Sequence, residues 1–106
     1  MRQLYTIICG QGFDRGGNPI ADPQDKRAIV RRLLAGEFGG VTETACEGGW
    51  IDNEGKLVRE RSVKWEIIVQ GDQDIAVMAT TQHIRDIFRQ NCVALTKTRL
   101  EWAELI

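Results

Sequence analysis

A chain of 106 residues, 42% of them hydrophobic, is long enough for one domain with its own core and too short for two. Fourteen basic and 15 acidic residues leave a formal net charge of −1, which excludes the concentrated positive field that draws nucleic acid or an acidic membrane. No apolar run approaches the roughly 20 residues of a membrane span. The chain opens directly into a strand-like segment, with no apolar stretch leading to a small-residue cleavage site, so a cytoplasmic protein is expected.

Arg2 to Gly10 reads as a first strand. Leu4, Tyr5, Ile7, Ile8 and Cys9 make it apolar on both faces, as in a central strand. Gln11 to Ala21 is a glycine-rich loop without the spacing of a phosphate cradle. It reads either as a mobile loop or as a ligand flap using Phe13, Asp14 and Arg15. Asp22 to about Gly36 is a first helix, with Asp22 as N-cap, Pro23 at the first position and Asp25 completing a near capping box. Ile29, Val30, Leu33 and Leu34 form its apolar stripe, and Gly36, Gly39 and Gly40 end it.

Val41 to Ile51 is the second strand, with Gly48 and Gly49 marking a bulge or a close backbone approach. The chain turns back at Asp52-Asn53-Glu54-Gly55 into a third strand. There Val63, Trp65, Ile67 and Val69 alternate with Ser62, Lys64, Glu66 and Ile68, a period of two that puts one face on a core. Asp72 to Asn91 is the second helix, capped by Asp72 or Asp74, with Val77, Thr81, Ile84 and Phe88 inward. Cys92 to about Leu105 is the last strand, with a phase switch expected near Thr96 to Thr98.

Strand, helix, strand, strand, helix, strand is the order of an α+β ferredoxin-like βαββαβ plait. It folds as a four-stranded antiparallel sheet with both helices on one face, here as a single domain spanning 1–106. The other face is left bare and carries Glu60, Ser62, Lys64, Glu66 and Ile68. Such a face is often covered by a second subunit, so a dimer or trimer is expected.

Gly49-Trp50, Gly55, Leu57-Val58, Glu60 and Ser62 resemble the G-x-W…G-x-L-V-x-E-x-S hairpin of a family of small uncharacterised bacterial proteins with a ferredoxin-like fold. Leu4-Tyr5 and Ile84-Arg85…Phe88-x-Gln90…Val93 are similar too. The glycine-rich loop before the first helix departs from that family. The resemblance implies the fold and self-association, and no activity. More distantly, the plan is similar to PII-like ligand-binding trimers and dimeric α+β-barrel enzymes.

Candidate chemistry is sparse. The single histidine, His83, lies on the second helix with only Asp86 nearby in sequence, and a general base needs a partner within reach. With Glu60 and Tyr5 it completes a set of weak catalytic candidates. Glu60, Ser62 and Lys64 share a strand face and form a polar line open to a small polar ligand or to a second subunit. Arg15, Trp50 and Trp102 are further ligand or interface candidates, whereas Trp65 reads as core. Arg59 and Arg61 project the other way, suited to a carboxylate or phosphate but expected to pair with acidic neighbours. Cys9, Cys46 and Cys92 read as buried, reduced thiols. No paired Cys or His spacing calls for a metal, and no motif calls for a cofactor. Three functions stay open: a non-enzymatic homo-oligomer binding a small polar molecule at a subunit interface, a cofactor-independent enzyme of the α+β-barrel type, and an accessory or inhibitory protein of a mobile element.

Overall fold

A computed structural model describes residues Met1–Ile106. The elements are β1 (Arg2–Gly10), α1 (Pro23–Phe38), β2 (Thr42–Ile51), β3 (Leu57–Gln70), α2 (Asp74–Ile87) and β4 (Ala94–Arg99). The sheet order is β2-β3-β1-β4, antiparallel throughout, which is the ferredoxin-like plait expected from the sequence. No helix is long and apolar enough to cross a membrane.

The period of two in β3 sets the core. Val63, Trp65, Ile67 and Val69 lie on the helix side with Tyr5, Ile7 and Cys9 of β1, because the register pairs Cys9 with Val63, Ile7 with Trp65 and Tyr5 with Ile67. Val30 and Leu34 of α1, Val77 and Ile84 of α2, and Phe88 close over them. Trp65 is the largest fully buried side chain, with its ring centroid 5.9 Å from that of Phe88 at a tilt of 44°. A buried indole needs a partner for its N–H. Trp65 Nε1 donates to Glu43 Oε1 at 2.8 Å, and Glu43 Oε2 pairs with Arg31 of α1 at 2.8 Å. One carboxylate on β2 thus ties the core tryptophan to a helix.

Tyr5 anchors the other helix. Its hydroxyl donates to Asp74 Oδ1 at 2.6 Å and accepts the Gln73 backbone N–H at 3.0 Å, while Lys97 of β4 holds Asp74 at 3.0 Å. Burial first, and then the hydrogen bond to Asp74, raise the Tyr5 hydroxyl above its ordinary pKa. The Tyr5 hydrogen bond and then that of Lys97 hold the Asp74 carboxyl below the usual carboxylate value.

Several local expectations are corrected. Asp22 occupies the N-cap position of α1 but in a left-handed conformation, φ 49°, rather than the extended backbone of a capping residue, and it makes no side-chain capping bond. Gly36 lies inside α1, and the helix ends at Gly39, whose φ of 92° suits glycine. Ile29 and Met78 are exposed, so the buried stripes are narrower than the apolar ones. The N-cap of α2 is Gln73, and Asp72 instead accepts the Asp74 N–H. β2 and β3 pair one-to-one through Gly48 and Gly49 with no bulge. β4 ends at Arg99 without a phase switch: Leu100 N–H donates to Arg2 O, and the chain then leaves the sheet.

Trp65→Ala leaves the largest cavity the core can offer and is expected to cost about 3–5 kcal/mol, read by urea unfolding. Asp74 has a folded pKa below its unfolded one, so its contribution is present above about pH 4 and is lost as pH falls through the folded value. The expected outcome in acid titrations of the unfolding midpoint is a shallower loss for Asp74→Asn than for the parent chain.

Candidate functional site

β3 is longer than β1. β1 ends at Gly10, opposite Ser62, while Leu57–Arg61 runs on and pairs with β2 alone. The overhanging hairpin closes at a turn in which Asp52 Oδ1 accepts the N–H groups of Glu54 at 2.8 Å and Lys56 at 2.9 Å, with Gly55 at φ 78°.

The glycine-rich loop stands beside this overhang and is well tied. Asp14 Oδ1 accepts the N–H groups of Gly16 at 2.8 Å and Asn18 at 3.0 Å, and Phe13 bridges to Pro19. Those backbone donors, Asn18 foremost, hold the Asp14 carboxyl below its ordinary value. Arg15 N–H donates to Arg89 O at 2.8 Å and Gln90 Nε2 to Phe13 O at 2.8 Å, fixing the loop to the segment after α2. Arg89 adopts a left-handed φ of 53°, uncommon outside glycine, at the point where the chain leaves α2. Ile20 buries itself in the core and pins the far end of the loop.

Loop, hairpin and the α2–β4 connection enclose a cleft of about 760 Å³. Phe13, Asp14 and Arg15 come from the loop, Trp50, Glu60 and Ser62 from the hairpin, and Gln90, Asn91 and Cys92 from the connection. Glu60 is half-buried and forms no ion pair. Its position explains two glycines: a Cβ on Gly10 would stand 2.6 Å from Glu60 Oε1, and one on Gly12 would stand 3.3 Å from its Cγ. On the hairpin, a Cβ on Gly48 would lie 3.3 Å from Ser62 Oγ and one on Gly49 would lie 3.2 Å from Leu57 Cδ1, so this pair marks a close approach. Burial first, and the nearby Glu60 charge second, push the Cys9 thiol up to about 12.

Of the residues singled out in the sequence, Glu60, Ser62, Arg15 and Trp50 meet in this cleft. Lys64 lies farther along the bare face, paired with Glu66 at 3.8 Å. Trp102 is exposed at the opposite end of the sheet, beside Met1, Arg2 and Gln70. His83 is exposed on α2, and Tyr5 is buried beneath the start of that helix. Neither Arg59 nor Arg61 joins an ion pair, against the expectation that acidic neighbours would neutralise them. Only Cys9 is fully buried, whereas Cys46 is partly exposed and Cys92 fully so. Gln90, Asn91 and Cys92 escaped the sequence reading because they were assigned to helix and strand ends. A polar pair after the Phe88 that closes the stripe was the available signal. No group of three His, Cys, Asp or Glu side chains is arranged to hold a metal ion.

No family model and no curated protein matches the sequence. The fold does match solved structures. A phage SAM lyase in complex with S-methyl-5'-thioadenosine superposes with a TM-score of 0.62 at 21% identity, covering 97% of this chain and 93% of that one. CutA from Xylella fastidiosa gives 0.64 at 13%, covering 97% and 86%. A DUF3240 family protein from Shewanella baltica gives 0.62 at 15%, covering 99% and 96%. These likenesses establish the small βαββαβ plan.

The three thiols are expected to separate in a timed alkylation at pH 8. Cys92 labels first, and Cys9 labels only after unfolding, since burial both shields it and disfavours its thiolate. Peptide mass mapping of the labelled chain reads the order.

Proposed function

We propose that this chain is a self-associating enzyme that binds S-adenosylmethionine in the cleft beside Glu60 and splits it, releasing S-methyl-5'-thioadenosine. The observation that carries the reading is the Glu60 carboxylate, without an ion-pair partner and held among glycines, facing a cleft with two aromatic side chains. Its support among known folds is the phage SAM lyase, which covers nearly the whole chain.

The chemistry fits a site of this kind. S-Adenosylmethionine carries a sulfonium and an ammonium, and a carboxylate in a partly desolvated cleft attracts both. Trp50 and Phe13 offer π-faces for an adenine base or a sulfonium. Cleavage breaks the bond between sulfur and the γ-carbon of the amino-acid chain, and its electron pair goes to sulfur. The cation becomes a neutral thioether, so the leaving group needs no proton. The substrate's own carboxylate then bonds to the γ-carbon and closes a five-membered lactone, with atoms and charge balanced and no water consumed. The protein's task is to fold the flexible chain so that carboxylate and carbon meet, a positioning effect of large potential size. Glu60 serves best on the ammonium, whose charge persists through the reaction. Placed on the sulfonium, it would stabilise the substrate more than the transition state.

The bare face supplies the second part of the proposal. Leu4, Ile8 and Ile68 lie there among Thr6, Thr42, Thr44, Thr96 and Thr98, on the same sheet face as Glu60 and Ser62. A second or third copy seated on it would cover these side chains and shut out water. Three free cysteines fit action in the cytoplasm.

Incubation with S-adenosylmethionine and chromatography of the products tests the reading. The expected result is S-methyl-5'-thioadenosine and the lactone in equal amounts. Glu60→Gln is expected to lower kcat/KM about 100-fold, in line with loss of a positioning ion pair. Gly10→Ala folds but forces the Glu60 carboxylate aside, and should lose activity with little change in Tm. His83→Ala should be fully active. Substrate bound and returned intact would instead select a non-catalytic binding protein, and neither binding nor turnover would overturn both.

A further inference from the structure

A second cavity, of about 330 Å³, lies at the base of the hairpin and shares only Ser62 with the Glu60 cleft. Arg27 of α1, Arg61 of β3 and Gln11 surround it, with Cys46 and Val63 in its wall. Gln11 is nine-tenths buried. Its backbone N–H donates to Arg61 O at 2.7 Å, its Nε2 to Gly10 O at 3.2 Å, and its Oε1 accepts from Arg27 Nη1 at 3.1 Å. A buried amide thus orients Arg27 toward the cavity without neutralising it.

The charge around this cavity does not balance. Neither Arg27 nor Arg61 forms an ion pair. Glu43 also lines it, but both of its oxygens are taken, one by Arg31 and the other by the Trp65 indole. Glu47, opposite Arg61 in the strand register, makes no ion pair either. Two arginines, one on a helix and one on a strand, therefore line one pocket, and neither is ion-paired to a carboxylate of the protein. A guanidinium fork matches the planar oxygens of a carboxylate or phosphate, and two forks from different elements define a place for one anionic group.

We propose that Arg27, Arg61 and Gln11 form an anion site for the carboxylate or phosphate group of a small ligand, separate from the Glu60 cleft. Gln11 sits between Gly10 and Gly12, the two glycines against Glu60. An anion on the two arginines would therefore brace the strand-to-loop junction that shapes the neighbouring cleft.

The test is thermal unfolding of the full chain at fixed ionic strength, with inorganic phosphate in one series, malonate in a second and sodium chloride as the control. The expected result is a saturable rise in Tm with phosphate, malonate or both, beyond that in chloride, and the active series names the anion class. Arg61→Gln and Arg27→Gln should each weaken the response at least tenfold, whereas Arg27→Lys should retain part of it. The readout is the anion-induced shift, so a variant of lower starting Tm still reports. Arg59→Gln, on the cleft side, should respond like the parent chain. A rise no greater than in chloride overturns the site, as does a response that survives both Arg27→Gln and Arg61→Gln or disappears only in Arg59→Gln. Because no nucleoside is present, this outcome is independent of whether S-adenosylmethionine is cleaved.

Discussion

The pairing of β1 with β3 is the constraint on which the rest depends. It runs in unbroken register from Arg2 opposite Gln70 to Gly10 opposite Ser62. At its centre it sets Ile7 across from Trp65, and that pair creates the apolar floor on which both helices lie. At its end it stops while β3 continues. The overhang is the reason for a cleft: Glu60 stands one pleat beyond the last β1 residue, where the returning chain must pass as a loop rather than a strand. Core and candidate site are the middle and the end of one ladder.

That arrangement explains why the glycines fall where they do. With the Glu60 carboxylate packed against the chain, a side chain at Gly10 fits only if that carboxylate swings aside, and one at Gly12 is a tight fit. The loop is ordered nonetheless, because Asp14, Arg15 and Phe13 supply its polar ties and Ile20 supplies an apolar anchor. The entropy lost in ordering a glycine-rich segment is large, and these contacts offset it.

The fold was legible because its signals are periodic. Alternation in β3 announced a one-sided sheet, and Val77, Thr81, Ile84 and Phe88 announced the buried face of α2. Boundaries were less legible, since Asp22 has the chemistry of a cap but a backbone that denies it that role. Part of the candidate cleft was also legible: Glu60, Ser62, Arg15 and Trp50 stand out in the sequence and line one cleft. Lys64 and Trp102 were grouped with them by strand face and residue type, yet lie elsewhere, because sharing a face does not fix position along it. The Arg27–Gln11–Arg61 cluster was out of reach of the sequence, for it depends on helix α1 crossing the base of the hairpin. No spacing in the chain records that crossing.

The overhang also divides β3 into two regimes of local stability. From Ser62 to Glu66 the strand is paired on both sides, by β1 and β2, and the stretch from Ser62 to Gln70 is roofed by helices. From Leu57 to Arg61 it is held by β2, with a single further bond from the Gln11 N–H to Arg61 O, and has no buried side chain. Opening of the hairpin tip breaks few contacts and exposes little apolar surface, so its free energy is set locally rather than by global unfolding. Amide protection should therefore fall along a single strand, from Trp65 to Val58, without any change of secondary structure. The part of the molecule that faces the cleft can move on its own, while the part that defines the fold stays closed.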